Sequence, residues 1–273
     1  MMTDLHLRRL IAAESFLKTN SYVDAPFLLK GSMVTRQFFP HPSMRHVQDL
    51  DWVYLHPIDD AGKANTTFSN WVIKITEIHS DEKVWFRNFK ENNFWRMIDY
   101  AMDDDFPTTN TDLYCIVDEE GFEIGLDISF NLELDFPPEK LLYKPVVGQA
   151  FALERVCPYC LQVSWKLHQL LVRPRQKDIF DLIHLLRHER FNQSELEKIL
   201  YALKKECKRD GIEIEKLLAY IEEAQSLQTF LRAEDYKYFT SKEFFPYQNQ
   251  AALLKEFQQE LIRCGFTRQL IET

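Results

Sequence analysis

The stretch FLLKGSMVTRQFFPHPSMRHVQDLDWVYL, residues 27–55, decides the fold. Its first residues form an apolar run that predicts a short buried strand, and the pair Gly31-Ser32 then opens a helix. Its last residues alternate, with Asp49 and Asp51 on one side and large apolar residues on the other. Because strand side chains alternate between the two faces of a sheet, this pattern predicts a second strand with both carboxylates on one face.

The spacing of Asp49 and Asp51 suits a metal ion. Residues two apart on a strand have Cα atoms about 6.5–7 Å apart, so their carboxylates can converge on one Mg²⁺ or bridge two ions about 3.5–4 Å apart. Gly31 would let backbone amides at a helix start approach a phosphate. The alternative is a solvated strand face beside a helix cap, because a bare Asp-x-Asp pair is common.

Residues 111–130 predict a hairpin, with strands over 111–118 and 122–130 and a turn at Glu119-Glu120-Gly121. Asp127 lies between aliphatic residues of the second strand. It is either an outward-facing residue of a half-exposed strand or a third carboxylate with a functional role. The local pattern leaves both readings open.

The segment 134–148 contains three prolines, fits no regular element and predicts a domain boundary. Before it, residues 84–103 are predicted to be helical and the remainder mixes helices and strands; after it, the pattern is almost entirely helical. We therefore predict an α/β (α+β) fold, with a mixed-sheet domain over residues 1–140 and a helical C-terminal domain over residues 141–273.

A group of charged residues surrounds Pro174, which is expected to break a helix. Asp178 and Asp181 are three residues apart and therefore share a helical face. The group is either a phosphate-binding or catalytic set, or a basic surface patch at two helix ends. Its members are Lys166, Arg173, Lys177, Asp178 and Asp181.

The net charge of −9 is unevenly distributed. Residues 96–140 contain 13 Asp and Glu against two Lys and Arg, whereas residues 161–209 contain 11 Lys and Arg against six Asp and Glu. The overall sign argues against broad, sequence-independent DNA binding. A basic segment together with an acidic one suits a site that handles a metal ion and phosphate groups.

Other features exclude several classes of protein. The seven glycines form neither a Gly-x-Gly-x-x-Gly turn nor a P-loop. No apolar stretch is long enough to cross a membrane, and the charged helix predicted over residues 3–19 leaves no room for a signal peptide. The five cysteines, including the pair Cys157-Pro-Tyr-Cys160, favour a reducing compartment over a disulfide framework. We therefore predict a cytoplasmic protein.

Taken in order, these motifs resemble those of the AbiEii/AbiGii toxin family of nucleotidyltransferases, within the polymerase-β-like superfamily. The family's opening motif is an apolar strand, Lys-Gly-Gly or Lys-Gly-Ser, a helix, an arginine and Asp-x-Asp. The residues that match it are Lys30, Gly31, Ser32, Arg45, Asp49 and Asp51. The later signature of a lysine, an arginine and Lys-Asp-x-x-Asp is matched by Lys166, Arg173, Lys177, Asp178 and Asp181. Asp127 lies where the superfamily has its third carboxylate.

The resemblance implies an enzyme that transfers a nucleoside monophosphate from an NTP to a hydroxyl group of a tRNA or a protein, as the toxin of a toxin–antitoxin or phage-defence pair. It implies that Mg²⁺, as two ions, is bound by Asp49, Asp51 and Asp127, which are also catalytic together with Lys166, Asp178 and Asp181. It further implies that the NTP is bound by Lys30, Gly31, Ser32, Arg45, Arg173 and Lys177. A cognate antitoxin is an expected partner, and a membrane is not.

The resemblance covers about residues 5–190 and has two departures. Val47 stands where many members have serine, and residues 56–110 do not match, so the choice of substrate stays open. Two other functions remain compatible with the motifs. One is a non-catalytic nucleotide- or RNA-binding module on the same fold. The other is a glycosyltransferase that uses Asp-x-Asp for a sugar nucleotide, although it does not account for Asp127.

Overall fold

The computed structural model describes residues 4–47, 49–79, 83–91, 93–98, 107–223, 247 and 249–272. The chain divides into two compact units, and the described residues of the first lie within Met1–Gln37 and His46–Cys157. Those of the second lie within Phe38–Arg45 and Pro158–Thr273. The first unit therefore continues past residue 140, the boundary predicted from the sequence.

The first unit combines helices with a sheet. Its helices are α1 (Asp4–Asn20), α2 (Gly31–Thr35) and α3 (Ala61–Ile78). Short 3-10 turns lie at Arg36–Phe38 and Phe89–Glu91. A further 3-10 turn, Pro42–Met44, belongs to the second unit. Its strands are β1 (Phe27–Lys30), β2 (Asp49–Tyr54), β3 (Val84–Phe86), β4 (Arg96–Ile98), β5 (Thr108–Val117), β6 (Glu120–Phe130), β7 (Glu139–Tyr143) and β8 (Phe151–Val156).

The strands form one mixed sheet in the order β3-β5-β6-β2-β1-β8-β7, and β4 pairs with β5 beyond the end of β3. The central strand β2 is antiparallel to β1 and parallel to β6. The prediction of a mixed sheet is therefore confirmed. The parallel pairing sets β2 and β6 side by side with their chains running in the same direction.

The apolar residues of these strands pack under α1 and α3. Trp52 of β2 is buried beside Phe16 of α1 and Trp71 of α3, and Trp71 also stacks on Phe27 with ring centroids 3.8 Å apart. Because Leu50 and Trp52 face this core, the alternating residues of β2 must face the opposite side of the sheet. The core thus fixes which face carries the aspartates.

The predicted helix over residues 84–103 is wrong within its described part. Residues 84–86 and 96–98 form β3 and β4, which pair with the two ends of β5; residues 92 and 99–103 lie outside the described residues. In β3 burial alternates, with Val84 and Phe86 buried and Trp85 exposed. Pairing with the long strand β5 therefore outweighs the helical spacing of the apolar residues.

The segment 134–148, predicted to be irregular, contains β7, and β8 follows it. The two strands pair with each other, and β8 joins β1 in parallel at Leu29 and Val156. Pro137 and Pro138 precede β7 and Pro145 follows it, so none of the three prolines interrupts the pairing. The expectation that nearly everything beyond 148 is helical is therefore wrong for β8.

The predicted hairpin is confirmed as β5 and β6, although its turn is displaced. The residues at the turn are Asp118 and Glu119, which have φ of 49° and 67°. Positive φ at two consecutive positions is characteristic of the tight turns that match strand twist. The turn therefore begins one residue before the predicted turn at Glu119-Glu120-Gly121.

The second unit is helical, as predicted. Its helices are α4 (Tyr159–Val172), α5 (Gln176–Arg187), α6 (Gln193–Arg209), α7 (Lys216–Glu222), α8 (Gln250–Arg263) and α9 (Arg268–Glu272). Pro174 separates α4 from α5, because proline disfavours helical geometry at the residue before it. Within the described part of the chain, no helix is both long enough and apolar enough to span a bilayer.

Candidate active site

Three carboxylates share one face of the sheet in the first unit. The register of β2 and β6 places Asp51 beside Asp127 and Asp49 beside Gly125. Asp49 and Asp51 are two residues apart, so all three side chains belong to the face opposite the aromatic core. The structure therefore brings together the carboxylates that the sequence placed on two separate strands.

Gly31 lies directly against Asp51. Gly31 has φ of +70°, which side chains disfavour, and a Cβ atom built on it would lie 2.1 Å from Asp51 Oδ2. Two independent constraints therefore require glycine between β1 and α2: the backbone conformation and the carboxylate that occupies the space of a side chain.

Lys30 and Ser32 flank this glycine and place polar atoms near the carboxylates. The register of β1 and β2 sets Lys30 beside Asp51, and Lys30 Nζ donates to Ser129 Oγ on β6 at 3.2 Å. The Oγ of Ser32 is buried and makes no hydrogen bond with any residue that the structure describes. A buried hydroxyl without a protein partner is a group that a bound ligand can satisfy.

Asp127 is buried and held by a neighbouring strand. Its Oδ1 accepts a hydrogen bond from Asn110 Nδ2 on β5, and Asn110 Oδ1 in turn accepts from Arg96. This relay fixes the orientation of the Asp127 carboxylate. The sequence analysis did not identify Asn110. The signal that could have identified Asn110 is the register of the hairpin, which sets Asn110 directly opposite Asp127.

The donor set of this face fits Mg²⁺ in its chemistry, because carboxylate and hydroxyl oxygens are the ligands that Mg²⁺ prefers. Within the described residues, however, no three His, Cys, Asp or Glu side chains are grouped closely enough to hold a metal ion. Mg²⁺ commonly keeps several waters and takes only one or two carboxylates together with substrate phosphates. The site residues are therefore compatible with an ion that binds along with the NTP.

A second group of charged residues lies in the other unit, around Asp181. The carboxylate of Asp181 is fully buried and accepts from Arg45 Nε at 2.7 Å, from Arg45 Nη2 at 3.2 Å and from Lys166 Nζ at 2.7 Å. Burial alone would raise the pKa of Asp181, but the charges of Arg45 and Lys166 lower it to about 2. Asp181 is therefore ionised and fixes both cations in place.

Asp178 extends this group by one helical turn. It accepts two hydrogen bonds from Arg175, at 2.6 and 3.1 Å, and its Oδ1 is 3.6 Å from Lys166 Nζ. The sequence analysis did not identify Arg175, although its spacing of three residues from Asp178 was a usable signal. Arg173 is exposed at the end of α4. We call Arg45, Lys166, Arg175, Lys177, Asp178 and Asp181 the cation cluster.

Lys177 adds a fourth cation to the cation cluster. Burial lowers its pKa, as do the charges of Arg175, Arg45 and Lys166, while Asp178 opposes the shift; the resulting pKa is about 8. Four cations against two carboxylates leave the cluster positive when Lys177 is protonated. Such a surplus favours binding of an anion.

No protein-family model matches the chain, and no curated protein sequence matches it significantly. Solved structures do match. JHP933 from Helicobacter pylori is similar with a TM-score of 0.53 and 14% identity, over 97% of this chain and 93% of that chain. MenT4, a nucleotidyltransferase toxin from Mycobacterium tuberculosis, is similar with a TM-score of 0.60 and 14% identity, over 96% of this chain and 85% of that chain. The prediction of fold class is therefore confirmed: this chain has a nucleotidyltransferase fold.

Proposed function

We propose that the protein is a metal-dependent nucleotidyltransferase that moves a nucleoside monophosphate from an NTP to an acceptor hydroxyl group. The observation that carries this proposal is the register of β2 and β6, which sets Asp51 beside Asp127 with Asp49 on the same face. The close approach of Gly31 to Asp51 adds support, because it places the start of α2 directly beside the carboxylates.

Asp49, Asp51 and Asp127 would hold Mg²⁺, as two ions in the complete complex. When bound, Mg²⁺ would supply positive charge to the phosphate oxygens of the NTP. Ser32, whose Oγ is buried with no described hydrogen-bond partner, would donate to a phosphate oxygen. Lys30 would add a further positive charge on this face of the sheet.

Asp127 would orient the acceptor hydroxyl and take up its proton. The hydroxyl oxygen forms a bond to the α-phosphorus, the bond from that phosphorus to the bridging oxygen breaks, and pyrophosphate leaves with the electron pair. The hydrogen bond from Asn110 to Oδ1 fixes the orientation of the Asp127 carboxylate that would take up this proton. Asn110 is thus a positioning residue.

The cation cluster would bind phosphate groups. Asp181 offsets only part of the charge of Lys166 and Arg45, and Asp178 pairs with Arg175, so these three cations are held in place and still exceed the two carboxylates in charge. Lys177 would add to this positive charge, and Arg173 would add a solvent-exposed one. Phosphate recognition by several cations is usual where negative charge develops on a leaving pyrophosphate.

The similarity to the nucleotidyltransferase toxin MenT4 supports a toxin role for this chain. We propose that it acts in the cytoplasm on a tRNA or a protein, and that a cognate antitoxin neutralises it.

Transfer of labelled nucleotide tests the activity. The protein is incubated with Mg²⁺, with each α-³²P-labelled NTP in turn, and with total RNA or lysate protein. We expect one NTP to label an acceptor band, and Asp51→Asn to lower the rate by about 100-fold or more, because an amide supplies no negative charge for the metal ion. The matched control is Glu154→Gln, an exposed carboxylate on β8.

The same assay separates the alternatives. A folded wild-type protein that binds NTP but transfers nothing would be a binding module, and turnover of a UDP-sugar would indicate a glycosyltransferase. Transfer that persists in both Asp49→Asn and Asp51→Asn would remove the proposed metal-binding role of these two residues.

A further inference from the structure

A strip of polar and aromatic side chains continues from the carboxylates along the same face of the sheet. The hairpin register sets Asn110 beside Asp127 and Tyr114 beside Glu123, and β3 adds two residues next to β5. Alternate residues of a strand share a face, so these side chains and Asp127 lie on one surface. We call Asn110, Asp112, Tyr114, Glu123, Trp85 and Arg87 the sheet strip.

The aromatic part of the sheet strip is open to solvent and already holds a guanidinium group. The side chain of Trp85 is 51% exposed, and its ring centroid is 6.4 Å from that of Tyr114. The Cζ atom of Arg87 lies 4.5 Å from the centroid of the Tyr114 ring. Cations stack favourably on such rings, so this surface has the chemistry to receive arginine and lysine side chains.

The charge around the strip has the sign that attracts cations. Glu123 is exposed on β6, and the turn that follows β5 exposes Asp118 and Glu119. The neighbouring Glu120 pairs with Arg8 of α1. The whole first unit contains 14 Lys and Arg against 25 Asp and Glu, a net charge of −11. An RNA strand carries one negative charge per nucleotide, so this surface would repel its backbone.

We propose that the sheet strip binds a basic, extended segment of a protein acceptor, whose hydroxyl group receives the nucleoside monophosphate beside Asp127. This inference rests on the proposed function and narrows its acceptor to a polypeptide. The hydroxyl oxygen of a Ser, Thr or Tyr bonds to the α-phosphorus, pyrophosphate leaves, and the hydroxyl proton passes to Asp127.

The geometry also sets the spacing of the acceptor sequence. Glu123 and Asp127 are four residues apart on β6, which corresponds to about 13 Å along a strand. An extended peptide rises by the same distance per residue, so a Lys or Arg about four residues from the modified hydroxyl would reach Glu123. Side chains of the bound peptide that extend beyond β6, over β5 and β3, would lie over Tyr114 and Trp85.

A binding experiment on the full chain tests the strip without catalysis. The probes are a fluorescein-labelled peptide with a serine and an arginine about four residues away on each side, the same peptide with glutamate for arginine, and an oligouridylate of similar length. We expect only the arginine peptide to bind well, and Trp85→Ala combined with Glu123→Lys to weaken it by about tenfold. The matched control, Glu154→Lys, makes the same charge change on β8 and should leave binding unchanged. Tighter binding of the oligouridylate than of the arginine peptide, by the wild-type protein, would overturn the proposal.

Labelling with α-³²P-NTP then separates this proposal from the proposed function. Transfer to the serine of the arginine peptide, reduced by Glu123→Lys and abolished by Asp51→Asn, would support both. Transfer to RNA alone would overturn the polypeptide acceptor and leave nucleotidyl transfer established. If Asp51→Asn labels as well as the wild type, the proposed function fails, while the peptide-binding result still decides the role of the strip.

Discussion

Gly31 is constrained both by its backbone conformation and by its contact with Asp51. A side chain there would be disfavoured at φ of +70° and would collide with Asp51 Oδ2. We expect Gly31→Ala to cost about 1–2 kcal/mol of stability from the backbone alone and, in addition, to displace Asp51 and abolish nucleotidyl transfer. Gly211 has φ of +64° and nothing within 4 Å of an added Cβ, so Gly211→Ala is the matched control. It should cost similar stability in urea unfolding and retain activity; equal activity of both variants would contradict this account.

Asp181 holds two buried cations, and its loss should be costly. Asp181→Asn leaves Arg45 and Lys166 without their ionised partner, and breaking a buried pair in this way costs about 3–5 kcal/mol. The control is Asp112→Asn, whose partner Arg96 is solvent-exposed, with an expected cost below about 1 kcal/mol. Because the pKa of Asp181 is about 2 when folded, below its ordinary value of 3.8, the stability it provides is present above about pH 4 and is lost as the pH falls towards 2. Urea midpoints measured across that range check the sign.

Lys177 predicts a dependence of the same sign, a gain of stability with rising pH, but at high pH. Its pKa is about 8 when folded, against 10.5 for an ordinary lysine, so the unfolded chain binds more protons between these values. Folding stability should therefore gain a contribution as the pH rises from 8 to 10.5. Lys177→Met should remove this gain, while Lys208→Met, at an exposed position of α6, should keep it. Identical urea midpoint profiles for the wild type and Lys177→Met would contradict the prediction.

At the scale of elements, the sequence predicted those whose pattern is locally determined. Strand β2 was predictable because polar and apolar residues alternate along it, and the hairpin because strand signals flank a turn. Strands β3, β4 and β7 were missed because each is short and exists only through its pairing with a longer neighbour. Pairing between residues distant in the chain leaves no local periodicity to detect.

The same distinction holds for the candidate site. Asp49 and Asp51 were placed correctly on one face because their spacing alone fixes it. Asn110 was missed because its contact with Asp127 depends on the register of β5 against β6. The ion pair of Arg45 with Asp181 joins residues far apart in the chain, so no motif spacing predicted it.

A buried charge also joins elements of the first unit. Arg36, which follows α2, is fully buried and donates to Glu14 of α1 and to Tyr143 Oη of β7, the latter at 2.9 Å. Arg36→Met leaves the Glu14 carboxylate without its charged partner and should cost about 3–5 kcal/mol. The exposed pair of Arg155 with Asp24 is the control, and Asp24→Asn should cost less than about 1 kcal/mol. Urea unfolding followed by tryptophan fluorescence measures both; a small effect of Arg36→Met would show that the sheet holds α1 without this contact.

At the scale of the whole molecule, charge is divided between the two units. The first unit has a net charge of −11 and the second has 19 Lys and Arg against 17 Asp and Glu, a net charge of +2. The acidic unit carries the proposed metal ligands and the proposed acceptor strip, and the basic one carries the cation cluster. An acidic unit suits the proposed binding of a metal ion and a basic peptide, and a basic cluster suits the proposed binding of phosphate groups.

Toxicity is a property of the whole molecule and can be tested in cells. If the chain is a nucleotidyltransferase toxin, its induced expression without an antitoxin should arrest bacterial growth, because continued transfer to an essential acceptor depletes the functional form of that acceptor. Asp51→Asn should restore growth at an equal level of soluble protein, since it removes the metal-binding charge and keeps the shape of the side chain beside Gly31. Glu154→Gln, an exposed strand position outside the site, should arrest growth as the wild type does. Colony counts after induction measure the effect, and arrest by Asp51→Asn as complete as that by the wild type would show that toxicity arises from something other than transfer at this site.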